Sequence, residues 1–170
     1  MKKIRFIQFV STLLFCTLAL TALAGTKAKP KFEDYAVTDI YKGKPTKVVL
    51  SSPNAKSYRT LLREAATGPV TFAGEHVLAV FGCGTGCIYG AAVNLRTGRV
   101  VFLPGSVSAW YGEGDRLEYR ANSRLLVAKG EINESGQTGH HYYVFTGNEF
   151  KHLMTVPCTT NEEHDACVER

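Results

Sequence analysis

The stretch Gly82-Cys83-Gly84-Thr85-Gly86-Cys87 constrains the fold more than any other part of the chain. Two cysteines bracket three small residues, the length of a short hairpin loop. Residues opposed across an antiparallel pair have Cα atoms about 4.5–5.5 Å apart, inside the range of about 4.4–6.8 Å that a disulfide spans. The stretch follows Val77-Leu78-Ala79-Val80-Phe81, apolar at every position and therefore expected to be a strand buried on both faces. A β-hairpin stapled at its tip is the first expected element.

A staple of this kind calls for an oxidising compartment, and the N-terminus points to one. Lys2, Lys3 and Arg5 precede an apolar run from Phe6 to Leu20, and Ala22-Leu23-Ala24 supplies a small-x-small cleavage pattern. The apolar run falls short of the about 20 residues that cross a bilayer. Gly25, rather than a cysteine, follows the expected cut, which argues against a lipid anchor. The expected organisation is a signal peptide over 1–24, a flexible segment over 25–35 and a single β-rich domain over 36–170. Its expected location is the periplasm, with secretion as the alternative. Removing 24 of 170 residues leaves 146, a common size for one domain. The full chain has 20 basic and 15 acidic residues, and three basic ones leave with the signal. The remaining balance of 17 to 15 gives no support to a nucleic-acid partner. Glu162, Glu163, Asp165 and Glu169 read as a solvated acidic tail.

The remaining pattern is mostly β. Val37–Tyr41 and Lys47–Leu50 read as short strands around a Lys-Gly-Lys-Pro turn. Tyr58, Leu61, Leu62 and Ala65 recur at helical spacing, with Ser52-Pro53 or Asn54 to start the helix and Gly68-Pro69 to stop it. Strands are then expected at 77–81, 88–93, 99–103, 117–120, 124–129, 141–145 and 150–156, with glycine turns at Asn94–Gly98 and Gly147-Asn148. Strands following one another through short turns predict an antiparallel meander closed into a sandwich, partial barrel or propeller-like stack, with one covering helix.

Four cysteines outlast the signal, and they allow three pairings. Loop entropy assigns about 2 kcal/mol to a Cys83–Cys87 ring and slightly under about 3 kcal/mol to Cys158–Cys167. A crossed bridge such as Cys87–Cys158 would contribute about 4 kcal/mol by the same estimate. Proximity along the chain selects the local pairs, and the connectivity itself stays open. A zinc site is disfavoured, since no Cys-x-x-Cys or His-x-x-x-His spacing occurs and oxidised cysteines do not ligate metal.

Several motifs form a recognisable set: Phe72-Ala73-Gly74, the Gly82–Cys87 core, Thr97-Gly98-Arg99-Val100, Ser123-Arg124-Leu125-Leu126 and an aromatic hairpin from His141-Tyr142-Tyr143 to Phe150. Together they resemble a family of small exported bacterial proteins, over about residues 70–156. The Gly-Cys-Gly-Thr-Gly-Cys core is the specific part. The resemblance implies a β-rich exported fold and brings no activity with it. Asn122 stands before Ser123 where that pattern favours an acidic residue, and Cys158 and Cys167 lie beyond the shared region.

Catalytic signatures are missing: no Gly-x-Ser-x-Gly, His-Glu-x-x-His or Gly-x-x-x-x-Gly-Lys occurs. His140 and His141 on a strand would point to opposite faces. Glu113 and Asp115 beside Trp110-Tyr111 are the one carboxylate pair placed for sugar hydrolysis, and a glycine-rich loop more often leaves such acids solvated. No catalytic residue, metal ligand or cofactor is assigned. Binding is better supplied. The loop Gly105–Asp115 carries the sole tryptophan, and a polar loop follows at Asn133–Gly139. Aromatic anchors among Ser and Gly are characteristic of protein-binding loops. The expected contact residues are Trp110, Tyr111, Ser108, Ser135 and Gln137, with burial of Trp110 in the core as the competing outcome. The expected partner is another protein, in concrete form a peptidoglycan-degrading enzyme blocked by an inhibitor or immunity protein. The alternatives are a secreted hydrolase or metal enzyme using His140, His141 or the acidic loop, and a structural envelope protein.

Overall fold

The structure, a computed structural model, describes residues 28–110, 112, 114–160 and 167–169. The expected signal peptide, Tyr111, Glu113 and the acids at 162, 163 and 165 lie outside the described residues. Among the described residues the strands are β1 (His76–Gly84), β2 (Cys87–Asn94), β3 (Val100–Phe102), β4 (Val107–Ser108), β5 (Leu117–Tyr119), β6 (Leu125–Ile132), β7 (Gly139–Phe145), β8 (Phe150–Thr160) and β9 (Cys167–Glu169). They form one antiparallel sheet in the order β1-β2-β4-β6-β7-β8-β9, so the fold is mainly β as expected. None of the helices among the described residues is long and apolar enough to cross a membrane.

The meander is broken in an informative way. Strands β3 and β4 share one edge of β2, at Ala91–Val93 and at Ile88 respectively. Strands β4 and β5 likewise share one edge of β6, at Glu131–Ile132 and at Leu126–Ala128. Two residues of β4 are thus the bridge between a first leaf (β1, β2, β3) and a second (β5, β6, β7, β8). The leaves curl over a common core in the manner of a sandwich or partial barrel. Leu78 and Ala92 enter that core from the first leaf, and Leu126, Ala128, Tyr143 and Phe145 from the second. Phe72 lies between them, fully buried, with Phe145 at 5.4 Å and Phe150 at 5.9 Å between ring centroids.

Alternation along β1 and β2 explains the unbroken apolar run. Val77, Ala79 and Phe81 face outward and are roofed by helices α1 (Pro53–Ser57) and α2 (Arg59–Ala65). Full burial of one such side chain, Leu62 for example, stabilises by about 1.5–3 kcal/mol. Ser52 caps α1 by accepting from the Ala55 amide at 3.1 Å, and Pro53 follows at the first helical position. The expected single helix is broken at Tyr58, whose ring stacks on Phe81 at 4.3 Å. Leu61, expected on the buried stripe, is exposed instead.

Other expectations need correction. Residues 37–41 and 47–50 are not strands: they make single amide bonds, such as Tyr41 to the Gly74 carbonyl and Val49 to that of Gly98, with no continuous partner. Residues 32–35, expected within the flexible segment, form a 3-10 turn whose Phe32 and Tyr35 cover the outer face of the second leaf. Part of the expected acidic tail, Cys167–Glu169, is a strand against β8.

Candidate functional site

Register places two connections side by side. The β1–β2 hairpin tip and the start of the segment joining β4 to β5 lie on the Ser108 side of the row Ile88, Val107 and Ile132, whereas the β6–β7 turn leaves on the other side, where the Asn133 amide donates to the Ser106 carbonyl at 3.0 Å. The tip is stapled by a Cys83–Cys87 disulfide with a Cα separation of 5.2 Å, the local pairing expected from sequence. Cys158, whose amide donates to the Thr138 carbonyl of the β6–β7 turn, is buried and disulfide-bonded, and Cys167 stands opposite Thr160 in the β8–β9 register.

Trp110 is half-buried, neither packed in the core nor free in solvent. Its ring lies 5.4 Å from that of His140 and 5.4 Å from the Lys129 ammonium. Lys129 and His140 are direct cross-strand partners, so β6 and β7 together form the platform beneath the indole. Lys129 is buried and ion-paired with Glu118 of β5. A cation against an indole contributes about 0.5–2 kcal/mol, more as water is excluded. Burial, with the Lys129 charge beside it, holds the His140 pKa below the usual imidazole value, and Glu118 partly offsets this. Indole Nε1–H donates to the Gly114 carbonyl at 3.3 Å, and a side chain at Gly112 would collide with the indole. Arg116 ties this segment to the stapled hairpin by donating to the Gly86 carbonyl at 2.5 Å. Beside the indole a cleft of about 550 Å³ opens, lined by Val80, Ile88, Trp110, Arg116, Leu117 and Tyr119. Val80 is the exposed member of the β1 apolar run because it faces this cleft.

The second expected loop is the β6–β7 turn. Ser135 and Gln137 are both exposed, and Glu131 braces the turn by accepting from the Gly136 amide at 3.1 Å. Asn133 and Glu134 hold positive φ of 53° and 54°, and Ala109 at the start of the Trp110 segment holds 48°. Such backbone, costly for non-glycine residues, concentrates at ligand-contacting loops. Ser108, expected in a flexible loop, lies in β4 opposite Glu131 and positions the segment.

His140 and His141 point to opposite faces, as their adjacency on a strand requires. His141 is buried, its Nε2 donating to the Gly130 carbonyl at 2.9 Å and its Nδ1 3.0 Å from the Thr155 hydroxyl. The two rings therefore do not converge on one ligand. Asp115 is exposed on the rim. Lys129, Glu118 and Arg116 escaped the sequence reading, although a lysine closing the apolar run Leu125–Ala128 was a visible signal. No family model, curated protein or solved structure matches this chain.

Proposed function

We propose that this is an exported, periplasmic binding protein whose loop end occludes the active site of a cell-wall-degrading enzyme, as an inhibitor or immunity protein. The observation that carries the reading is a stapled hairpin tip tied by Arg116 to a segment whose indole is held over a buried cation, beside an open cleft of the sheet. Trp110 acts as the anchor, with the cleft beside it accepting an apolar group of the partner. Ser135 and Gln137 form the polar plug. A rigid display of this kind lowers the ordering cost of association, and a central tryptophan is often worth 2 kcal/mol or more in such an interface. Export follows from the N-terminal pattern and agrees with a chain that carries disulfides.

The test is inhibition of purified peptidoglycan hydrolases of several bond specificities, lysozymes, amidases and endopeptidases, by the purified protein. The expected result is stoichiometric inhibition of at least one, weakened at least about tenfold by Trp110→Ala and by Ser135→Trp. If no hydrolase is inhibited, the enzyme target is wrong. Inhibition indifferent to both substitutions would leave the target standing and remove the loop assignment.

A further inference from the structure

The opposite end of the first leaf carries a second feature. Between Asp39 and Glu64 the chain has no acidic residue and six basic ones, Lys42, Lys44, Lys47, Lys56, Arg59 and Arg63, all exposed. None of the six forms an ion pair with a carboxylate among the described residues, whereas Arg96, Arg120 and Lys129 each do. The fold gathers them. Lys56, Arg59 and Arg63 follow one stripe of α1 and α2, and Arg59 folds back to donate to the Lys56 carbonyl at 3.3 Å. Lys47 and Arg63 line one open cleft of about 690 Å³, and Pro45 joins it to the neighbouring cleft that Lys42 lines. One exposed aliphatic side chain, Val49 at 48%, follows Lys47 by two residues, whereas exposed Leu61 lies across α2 from the Lys56–Arg59–Arg63 stripe.

We propose that this face docks on an anionic lipid surface. Clusters of four to eight Lys and Arg are the usual size for attraction to acidic headgroups. Unpaired cations alone would suit any polyanion; the exposed Val49 near Lys47 gains only where hydrocarbon lies behind the charge. The segment bonds to Leu95 and Gly98, at the His76–Asn94 end of the β1–β2 ladder, while the stapled tip is at the Gly84–Cys87 end. Docking by the basic face therefore turns the Trp110 end away from the lipid, toward the space where a partner would arrive. The assignment does not depend on what that partner is.

The experiment is co-sedimentation of the purified full chain with vesicles of phosphatidylcholine containing 30 mol% phosphatidylglycerol, against phosphatidylcholine alone, in low and high salt. Wild type is expected to partition onto the anionic vesicles and to leave them in high salt. Lys47→Gln with Arg59→Gln and Arg63→Gln should lower the partition coefficient by roughly 100-fold, at about fivefold per charge. Because the triple variant shares every other residue with wild type, the ratio isolates this face. Val49→Ser, at an exposed position, should lower it several-fold at unchanged melting temperature. Equal partitioning of wild type and triple variant overturns the proposal. So does binding to soluble polyphosphate or to DNA without binding to the vesicles, or insensitivity to Val49→Ser.

Discussion

At one end of the sheet Arg96 lies over Tyr41, 4.7 Å from its ring centroid, and pairs with Glu75; at the other Lys129 lies against Trp110 and pairs with Glu118. Each end also has a histidine beside its cation–aromatic contact. At the Arg96 end most polar groups are spent on one another, with His76 Nδ1 buried and left without a hydrogen-bond partner among the described residues. Asn94 accepts from the Arg96 and Thr97 amides and donates to Glu75, with His76 Nε2 3.2 Å from its amide nitrogen. The outcome is a closed turn that locks β2 to β3 and to residues 46–49. At the Trp110 end the same chemistry holds an aromatic ring at the surface, beside an open cleft and next to the positive-φ backbone of Ala109. A cation–π contact and an ion pair therefore do not mark a binding site by themselves; what marks it is whether the network closes on itself.

The largest effect that sharpens this contrast is expected at Gly98. Its φ is +76°, and a Cβ there would run into the Lys47 carbonyl. Gly98→Ala should cost about 2–3 kcal/mol in urea unfolding while leaving partner binding by the folded fraction unchanged. Replacing both Cys83 and Cys87 by Ser should cost about 2 kcal/mol by loop entropy. It should also weaken binding, because Arg116 anchors the Trp110 segment to that tip. If the serine pair weakens stability without touching binding, the two segments are not coupled.

A smaller effect comes with pH. Burial pushes the pKa of His76, His140 and His141 below the ordinary imidazole value of about 6.5, with Glu75 partly offsetting the push at His76. A lowered folded pKa means that the unfolded chain takes up the proton more readily. The stability is therefore complete above about pH 6.5 and lost as pH falls from there through the depressed values. Each histidine can contribute at most about 1.4 kcal/mol per pH unit. Urea midpoints should fall between pH 7.5 and 5; midpoints that hold steady over that interval would contradict the burial of these rings.

The parts of the fold that follow from local chemistry were legible in the sequence. The staple, the two-faced burial of β1, the Ser52-Pro53 start and the left-handed Gly98 and Gly147 each rest on a few neighbouring residues. What escaped depends on distant partners. Strand β4 has two residues, too few to show alternation, yet it joins the leaves. Tyr58, where the helix breaks, stacks on Phe81 of the distant strand β1, and residues 37–50 bond singly to scattered partners: Val37 to Asn122, Tyr41 to Gly74, and Thr46 and Val49 to Leu95 and Gly98 of the β2–β3 turn. In the loops, Trp110 and Ser135 could be picked out by residue type. The platform of Lys129, His140 and Glu118 needed the β5–β6–β7 register.

The chain contains one tryptophan, so a 5-fluorotryptophan label gives one ¹⁹F resonance, reporting on Trp110. Titration with any peptidoglycan hydrolase that the inhibition assay identifies is the most direct test of the proposal that this indole anchors the partner. The expected result is a shifted or broadened resonance that saturates together with inhibition, with Lys129→Met moving the resonance of the free protein and weakening the complex. A resonance that stays in place while inhibition saturates would contradict it.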